Sequence, residues 1–154
     1  MVQYPFFFTF LDKVEGNGYL AHVEVHGRLL AVEEDGEWWM YGVNPGGLAA
    51  CGKSRAEAYI EVRKTLMKVL FDIAARAGED FYAFRKGARC FFDEVNEPTL
   101  KKWEEAREEV REGKINFERM RRESSETQRR IEIRQKKRFA AKANTTDPHA
   151  VVAA

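Results

Sequence analysis

The first residues whose types and spacing could do chemistry form a glycine-rich segment that ends in Gly-Lys-Ser. Residues 47–54 match the phosphate-loop pattern G-x-x-x-x-G-K-[ST], in which backbone N–H groups and a lysine hold the phosphates of a nucleotide. The pattern residues are Gly47, Gly52, Lys53 and Ser54. A phosphate loop also needs an acidic strand end for magnesium, whereas the pattern after residue 54 is helical. Nucleotide binding, or anion binding at the start of a helix, is therefore one hypothesis for this segment.

A second candidate group is formed by His22, Glu24 and His26, which alternate along a predicted strand. Alternate residues of a strand share one face, so two imidazoles and a carboxylate could converge on a metal ion. Such neighbours stand about 7 Å apart, which is a long spacing for ligands that bind at about 2 Å. The alternative is the polar outer face of a hairpin. The inner face would then hold Tyr19, Ala21, Val23 and Val25.

Acidic residues crowd a predicted hairpin turn at Glu33, Glu34 and Asp35. With Asp12 or Glu37 they could imitate the carboxylate cluster of a two-metal nuclease. Acidic residues are also common in turns for reasons of turn geometry, and this second interpretation is the simpler one.

The charge distribution divides the chain into an acidic body and a basic tail. Residues 1–113 carry 15 Lys and Arg against 20 Asp and Glu, whereas residues 114–154 carry 11 against 5. Clustered basic side chains can bind the phosphates of nucleic acid, in a salt-sensitive and weakly specific way. The alternative is a solvated appendage. The candidate nucleic-acid residues are Arg121, Arg122, Arg129, Arg130, Lys136, Lys137 and Arg138.

Length and composition predict one domain, residues 1–113, followed by a tail, residues 114–154. The two cysteines lack the C-x-x-C spacing of a metal or redox motif, so we expect free thiols in a reducing cytoplasm. The apolar run at residues 6–11 is too short for a signal peptide or a membrane span. We expect no cofactor and no membrane partner.

The pattern of apolar and turn residues predicts an α+β fold. Asn17-Gly18 and Asp35-Gly36 are hairpin signals of the type I′ kind. Gly27 is expected to interrupt the second strand segment. The predicted strands, at 5–13, 19–25, 28–33, 37–43 and 48–51, form a mostly antiparallel meander.

A long helix is expected to cover this sheet. It begins at a capping box, Ser54 and Glu57, and ends near Gly78. Two further helices follow, at 79–95 and from Pro98 to Gly113. Residues 114–142 are predicted to be a frayed helix or a disordered arm, and residues from 143 onward to be disordered.

Residues 28–70 resemble the HicB family, the antitoxin half of bacterial HicA–HicB toxin–antitoxin pairs. The resemblance covers two strands around a Gly turn, the element Pro45-Gly46, a short third strand, and a helix start that reads G-K-S-R-A-E-A at residues 52–58. An additional N-terminal hairpin precedes this segment. The resemblance implies a domain that does no chemistry itself and that binds a small toxin and covers its catalytic histidine.

We therefore expect a non-enzymatic, HicB-like protein-interaction module of antitoxin type. The alternatives are a nucleic-acid-binding accessory protein that acts through residues 114–142 and a nucleotide-binding enzyme that acts through residues 47–54. We also expect a homodimer, because the strands at residues 6–10 and 38–39 carry apolar side chains on both faces.

Overall fold

The computed structural model describes residues 2–115, 130–136 and 149–153 and shows an α+β fold, as predicted. An antiparallel sheet has one long helix on one face, and two shorter helices complete the packing. The strands are β1 (Gln3–Glu15), β2 (Leu20–Glu34), β3 (Glu37–Asn44), β4 (Ala49–Gly52), β5 (Arg130–Lys136) and β6 (His149–Ala153). The helices are α1 (Arg55–Ala77), α2 (Phe81–Asp93) and α3 (Glu97–Arg111).

The sheet is organised around β2, which is one continuous strand of 15 residues. The strand order is β4-β3-β2-β1-β6, and β5 also pairs with β2. One edge of β2 pairs with β1 through residues 20–32. The other edge pairs with β5 through residues 20–26 and with β3 through residues 28–34. β3 and β5 therefore lie one after the other along the same edge of β2.

The predicted interruption at Gly27 is wrong, because the strand passes through this residue. Gly27 lies where β2 changes partner from β5 to β3, and the pairing register shifts at the next residue, Arg28. A Cβ atom at position 27 would stand 2.4 Å from the Asn44 carbonyl oxygen and 2.4 Å from the Phe8 ring. Glycine is therefore needed here for close approach of two neighbouring strands, and it does not end the strand.

The two hairpin turns differ in geometry. Asp35 and Gly36 both have positive φ, 52° and 80°, which is the type I′ turn that the sequence predicts. In the first hairpin only Gly18 has positive φ, at 86°, so Asn17-Gly18 is not a type I′ turn. The Gly16 N–H donates to the Tyr19 carbonyl at 2.9 Å, and the loop spans residues 16–19.

α1 begins and ends where the sequence predicts. Ser54 Oγ accepts the Glu57 N–H at 3.1 Å, and Gly78, with φ of 62°, follows the last helical residue. The Glu57 carboxylate accepts from the Lys53 N–H at 3.3 Å, so the reciprocal half of the capping box is shifted by one residue. The buried face of α1 consists of Ala58, Tyr59, Val62, Leu66, Leu70 and Ala74.

The two shorter helices cover what α1 leaves open. α2 is continuous through Gly87, where a Cβ atom would come within 2.9 Å of the Ile73 side chain of α1. α3 covers the opposite face of the sheet, and its Trp103 ring packs edge-on against Phe7 with centroids 5.4 Å apart. Phe6 and Phe7 are consequently both buried within one chain. We expected a second copy of the chain to cover residues 6–10. Within one chain, α3 covers Phe7, and the main hydrophobic core buries Phe6, Phe8 and Phe10.

The expectation of a helix or disorder in the C-terminal part is wrong for the two segments that the structure describes there. Residues 130–136 pair with β2, and residues 149–153 pair with β1. Ile131 and Ile133 alternate with polar residues and pack against the core. The surrounding basic residues hide this period of two in the sequence. Of the rest of the predicted arm, residues 114 and 115 are described, with Ile115 buried in the core, and the others lie outside the described part of the chain.

Substituting Gly27 tests the close approach at the junction on β2. We expect Gly27→Ala to lower the free energy of unfolding by about 2 kcal/mol, because the new methyl group must displace backbone as well as the Phe8 ring. Gly47→Ala is the matched control, since its Cβ would meet only Phe91 at 3.7 Å, an ordinary contact. Denaturant unfolding of both variants measures the difference. Equal stabilities would contradict this account of Gly27.

Candidate functional site

The phosphate-loop residues do not form a phosphate-binding loop. Four of the eight residues, Ala49–Gly52, form the paired strand β4, so the segment is extended where a phosphate loop must curve around its ligand. Gly47 lies two residues before this strand, and Gly52 is its last residue. The Ser54 hydroxyl and the Glu57 carboxylate already accept the N–H groups of Glu57 and Lys53. Residues 47–54 therefore match the phosphate-loop pattern in sequence but do not have the backbone conformation of a phosphate loop.

The histidine group lies on the polar face of β2, opposite the buried Ala21, Val23 and Val25. Glu24 Oε1 is 3.1 Å from His26 Nε2, and Thr9 Oγ1 is 3.3 Å from His26 Nδ1. Both ring nitrogens of His26 therefore have partners in the protein. Among residues 2–115, 130–136 and 149–153, no three His, Cys, Asp or Glu side chains are arranged to hold a metal ion. His22, Glu24 and His26 form a polar surface row on β2.

The candidate nucleic-acid residues fall into two groups. Arg130 and Lys136 are the end residues of β5. Arg134, between them, has a side chain that is 57% exposed and that pairs with Glu132 at 2.9 Å. The other predicted residues, Arg121, Arg122, Arg129, Lys137 and Arg138, lie outside the described part of the chain. The basic segment is thus joined in part to the sheet.

A surface that no sequence motif marks lies on β3. Trp39 and Tyr41 are two residues apart on one face of the strand, and their rings stack with centroids 6.0 Å apart and an interplanar angle of 10°. Both side chains are only partly buried. On its inner side Tyr41 packs against the cluster that α3 forms with Phe7, Leu30 and Val32.

The acidic hairpin, residues 33–37, adjoins this stacked pair. It carries Glu33, Glu34, Asp35 and Glu37, and none of the four makes an ion pair with another described residue. Glu34 and Glu37 stand directly opposite each other across the turn, an arrangement that costs stability because like charges repel. The carboxylates of this hairpin are therefore left without compensation inside the described structure.

The environment of Tyr41 connects the two features. Burial raises the pKa of the Tyr41 phenol above its ordinary value, and the negative charges of the nearby Glu34 carboxylate and Cys51 thiolate raise it further. A tyrosine is already protonated at neutral pH, so the shift extends the neutral, hydrogen-bonding form to more alkaline solution. Aromatic rings with a polar tip are the side chains that protein interfaces favour.

The surface formed by Trp39, Tyr41, β4 and residues 33–37 is called the β3–β4 surface below. The sequence shows its aromatic and acidic residues separately. It could not show that they adjoin, because this depends on which strand ends the sheet and on how far α3 reaches. Residues at equal distances from the Asp35-Gly36 turn pair with each other, as Glu34 does with Glu37 and Val32 with Trp39, and counting outward from the turn was the signal that could have joined the two features.

Comparison with known proteins found no matching family model, no matching curated protein and no matching solved structure. What the chain defines by itself is an α+β domain with an antiparallel curled sheet. Among the described residues, none of the helices has the length and apolar character needed to cross a membrane.

The titration of Tyr41 tests the electrostatics of the β3–β4 surface. In tyrosine-labelled protein followed by NMR, we expect the Tyr41 pKa to lie above the ordinary value of a tyrosine. Glu34→Gln should lower this pKa by removing a negative charge, yet leave it raised, because burial is the larger cause. Glu24→Gln, on the polar row of β2, serves as the control. A Tyr41 pKa that does not respond to Glu34→Gln would contradict this description.

Proposed function

We propose that this chain is a non-enzymatic protein-interaction module that binds a basic protein partner through the β3–β4 surface. The supporting observation is the partly exposed Trp39–Tyr41 stack beside an acidic hairpin without ion pairs in the described chain. In the role that the HicB resemblance implies, the partner is a small toxin that the module covers.

The two components of the surface suit different parts of binding. Aromatic rings that are already held by packing lose little conformational freedom on association, so they serve as anchors at the centre of an interface. Carboxylates at the rim attract a basic partner from a distance and exclude acidic ones. The module would therefore bind by apolar contact and select by charge.

The uncompensated acidic hairpin also supports the proposal energetically. Glu34 and Glu37 repel each other in the free protein, and a basic partner would relieve that repulsion on binding. Relief of this repulsion would make the free energy of binding more favourable.

The resemblance to the HicB family also supports a protein-interaction role. The described order β2, β3, β4, α1 has the element order of the HicB-like segment, with the type I′ turn and the helix cap at the expected residues. We include a cytoplasmic location in the proposal, because Cys51 and Cys90 are both free thiols.

A pull-down with a charge-reversed hairpin tests the proposal. The tagged full chain is used as bait in a lysate of its own host, with and without nuclease. We expect a basic protein that survives nuclease and whose yield falls at least fivefold with Glu33→Lys combined with Glu37→Lys. Both residues are exposed, so the fold should be retained, which circular dichroism can verify.

Glu104→Lys combined with Glu105→Lys is the matched control, because it makes the same charge change on exposed residues of α3. If this control weakens the partner equally, net charge governs the interaction and the β3–β4 surface is not the binding site.

A second candidate function is nucleic-acid binding through the basic segment, favoured by the exposed Arg134 on β5. Removing residues 114–154 would also remove two strands, so charge substitution is the cleaner test. We expect Lys137→Gln with Arg138→Gln to weaken RNA retention and to reduce its salt dependence. Salt-independent retention would count against this function.

A further inference from the structure

The strand β4 ends the sheet and leaves one edge open. Within the described residues, β4 pairs only with β3. The Gly42 N–H donates to the Leu48 carbonyl at 2.7 Å, just before β4 begins. In an antiparallel ladder every second pair exchanges hydrogen bonds, so Ala50 and Gly52 continue this pattern toward β3. The N–H and C=O groups of Ala49 and Cys51 consequently point away from the sheet.

The open edge of β4 is short, and Lys53 follows it directly, but the strand itself carries none of the stronger blocks. Natural edge strands are protected by short length, lysine, proline, a bulge or a covering segment. β4 reads Ala-Ala-Cys-Gly, its register with β3 is regular, and Ala49 is exposed. Two glycines, Gly46 and Gly47, precede it. The outward N–H and C=O groups of β4 can pair with one further short strand.

The side chains on the edge leave room beside the aromatic pair. Ala49 stands opposite Tyr41 and Cys51 opposite Trp39, on the same face. Both are small, so a strand added at about 4.8 Å from β4 could extend long side chains over them to the rings. A lysine or arginine that reaches an aromatic face in this way gains a cation–π contact.

The charge of the acidic hairpin indicates what kind of segment could pair with β4. Gly52, the last residue of β4, stands opposite Trp38 of β3. Glu37, the neighbour of Trp38, is the first residue of β3 and belongs to the acidic hairpin. A segment that runs along β4 therefore approaches the acidic hairpin at this end. Because that hairpin makes no ion pair in the described chain, an extended segment rich in lysine or arginine fits it better than an acidic or neutral one.

We propose that a basic, extended segment of the partner adds to the sheet as a strand beside β4, hydrogen-bonded to Ala49 and Cys51, with basic side chains lying over Trp39 and Tyr41. This inference rests on the proposed function and specifies how the β3–β4 surface binds. Backbone hydrogen bonds would give affinity, while the aromatic pair and the hairpin would give specificity, as in other cases of strand addition.

The test uses the full chain and a synthetic probe, an amidated eight-residue peptide of alternating lysine and valine. NMR follows the backbone amides during titration. We expect the exchange of the Ala49 and Cys51 amide hydrogens to slow on binding. The same peptide with all backbone nitrogens methylated keeps its side chains but cannot donate, and it should bind at least tenfold more weakly.

Two variants at one position separate backbone pairing from side-chain contact. Ala49→Pro removes an N–H that points outward, so pairing with β3 is kept, and we expect about tenfold weaker binding. Ala49→Val retains the N–H and should bind within about threefold of the unchanged chain. If Ala49→Pro unfolds the protein, the exchange measurement and the methylated peptide still decide the question.

The other outcomes are distinguishable. Equal binding of the methylated peptide, or no protection of Ala49 and Cys51 at millimolar peptide, overturns strand addition. An acidic peptide of alternating glutamate and valine that binds equally well overturns the basic partner and the proposed function, while strand pairing stands. Protection that grows with protein concentration in the absence of peptide replaces the partner by a second copy of this chain.

Discussion

The pairing of β2 along both of its edges is the constraint on which the rest of the structure depends. β1 pairs with one edge through residues 20–32, and β3 and β5 divide the other edge at Gly27. This arrangement fixes where β3 lies, and β3 in turn fixes β4 as the end of the sheet. Gly27, which the Asn44 carbonyl and the Phe8 ring approach closely, lies at the point where β3 takes over from β5 on this edge.

The features that local chemistry controls could be predicted from the sequence. The Asp35-Gly36 turn, the Ser54 cap and the stop at Gly78 depend on a few neighbouring residues, and all three are present. β5 could not be predicted, because its pairing with β2 joins residues more than 100 positions apart and its two isoleucines stand among charges. The interruption predicted at Gly27 was wrong for a related reason. Glycine is needed there because Asn44 of β3 and Phe8 of β1, both distant in sequence, approach the backbone closely.

In the candidate site, too, the residues are visible in the sequence, whereas their arrangement depends on pairing between distant segments. The G-x-x-x-x-G-K-S letters at residues 47–54 are real, but strand pairing to β3 gives them an extended backbone and removes the geometry that binds phosphate. Trp39, Tyr41 and the acidic turn are visible in the sequence as ordinary strand and turn residues. Their combination becomes a surface only because α3 covers one half of the sheet face and because β4 has no further neighbour among the described strands.

Site-specific photo-crosslinking tests the central claim, that the β3–β4 surface binds a basic protein, most directly. Benzoylphenylalanine at position 39 keeps an aromatic side chain beside the acidic hairpin, and the same residue at position 82 replaces Tyr82, which is 74% exposed on α2. In the host cell, we predict that position 39 crosslinks to a lysine- or arginine-rich segment of another protein and that position 82 does not. Equal crosslinking from both positions, or products from position 39 that are acidic segments, would contradict the account.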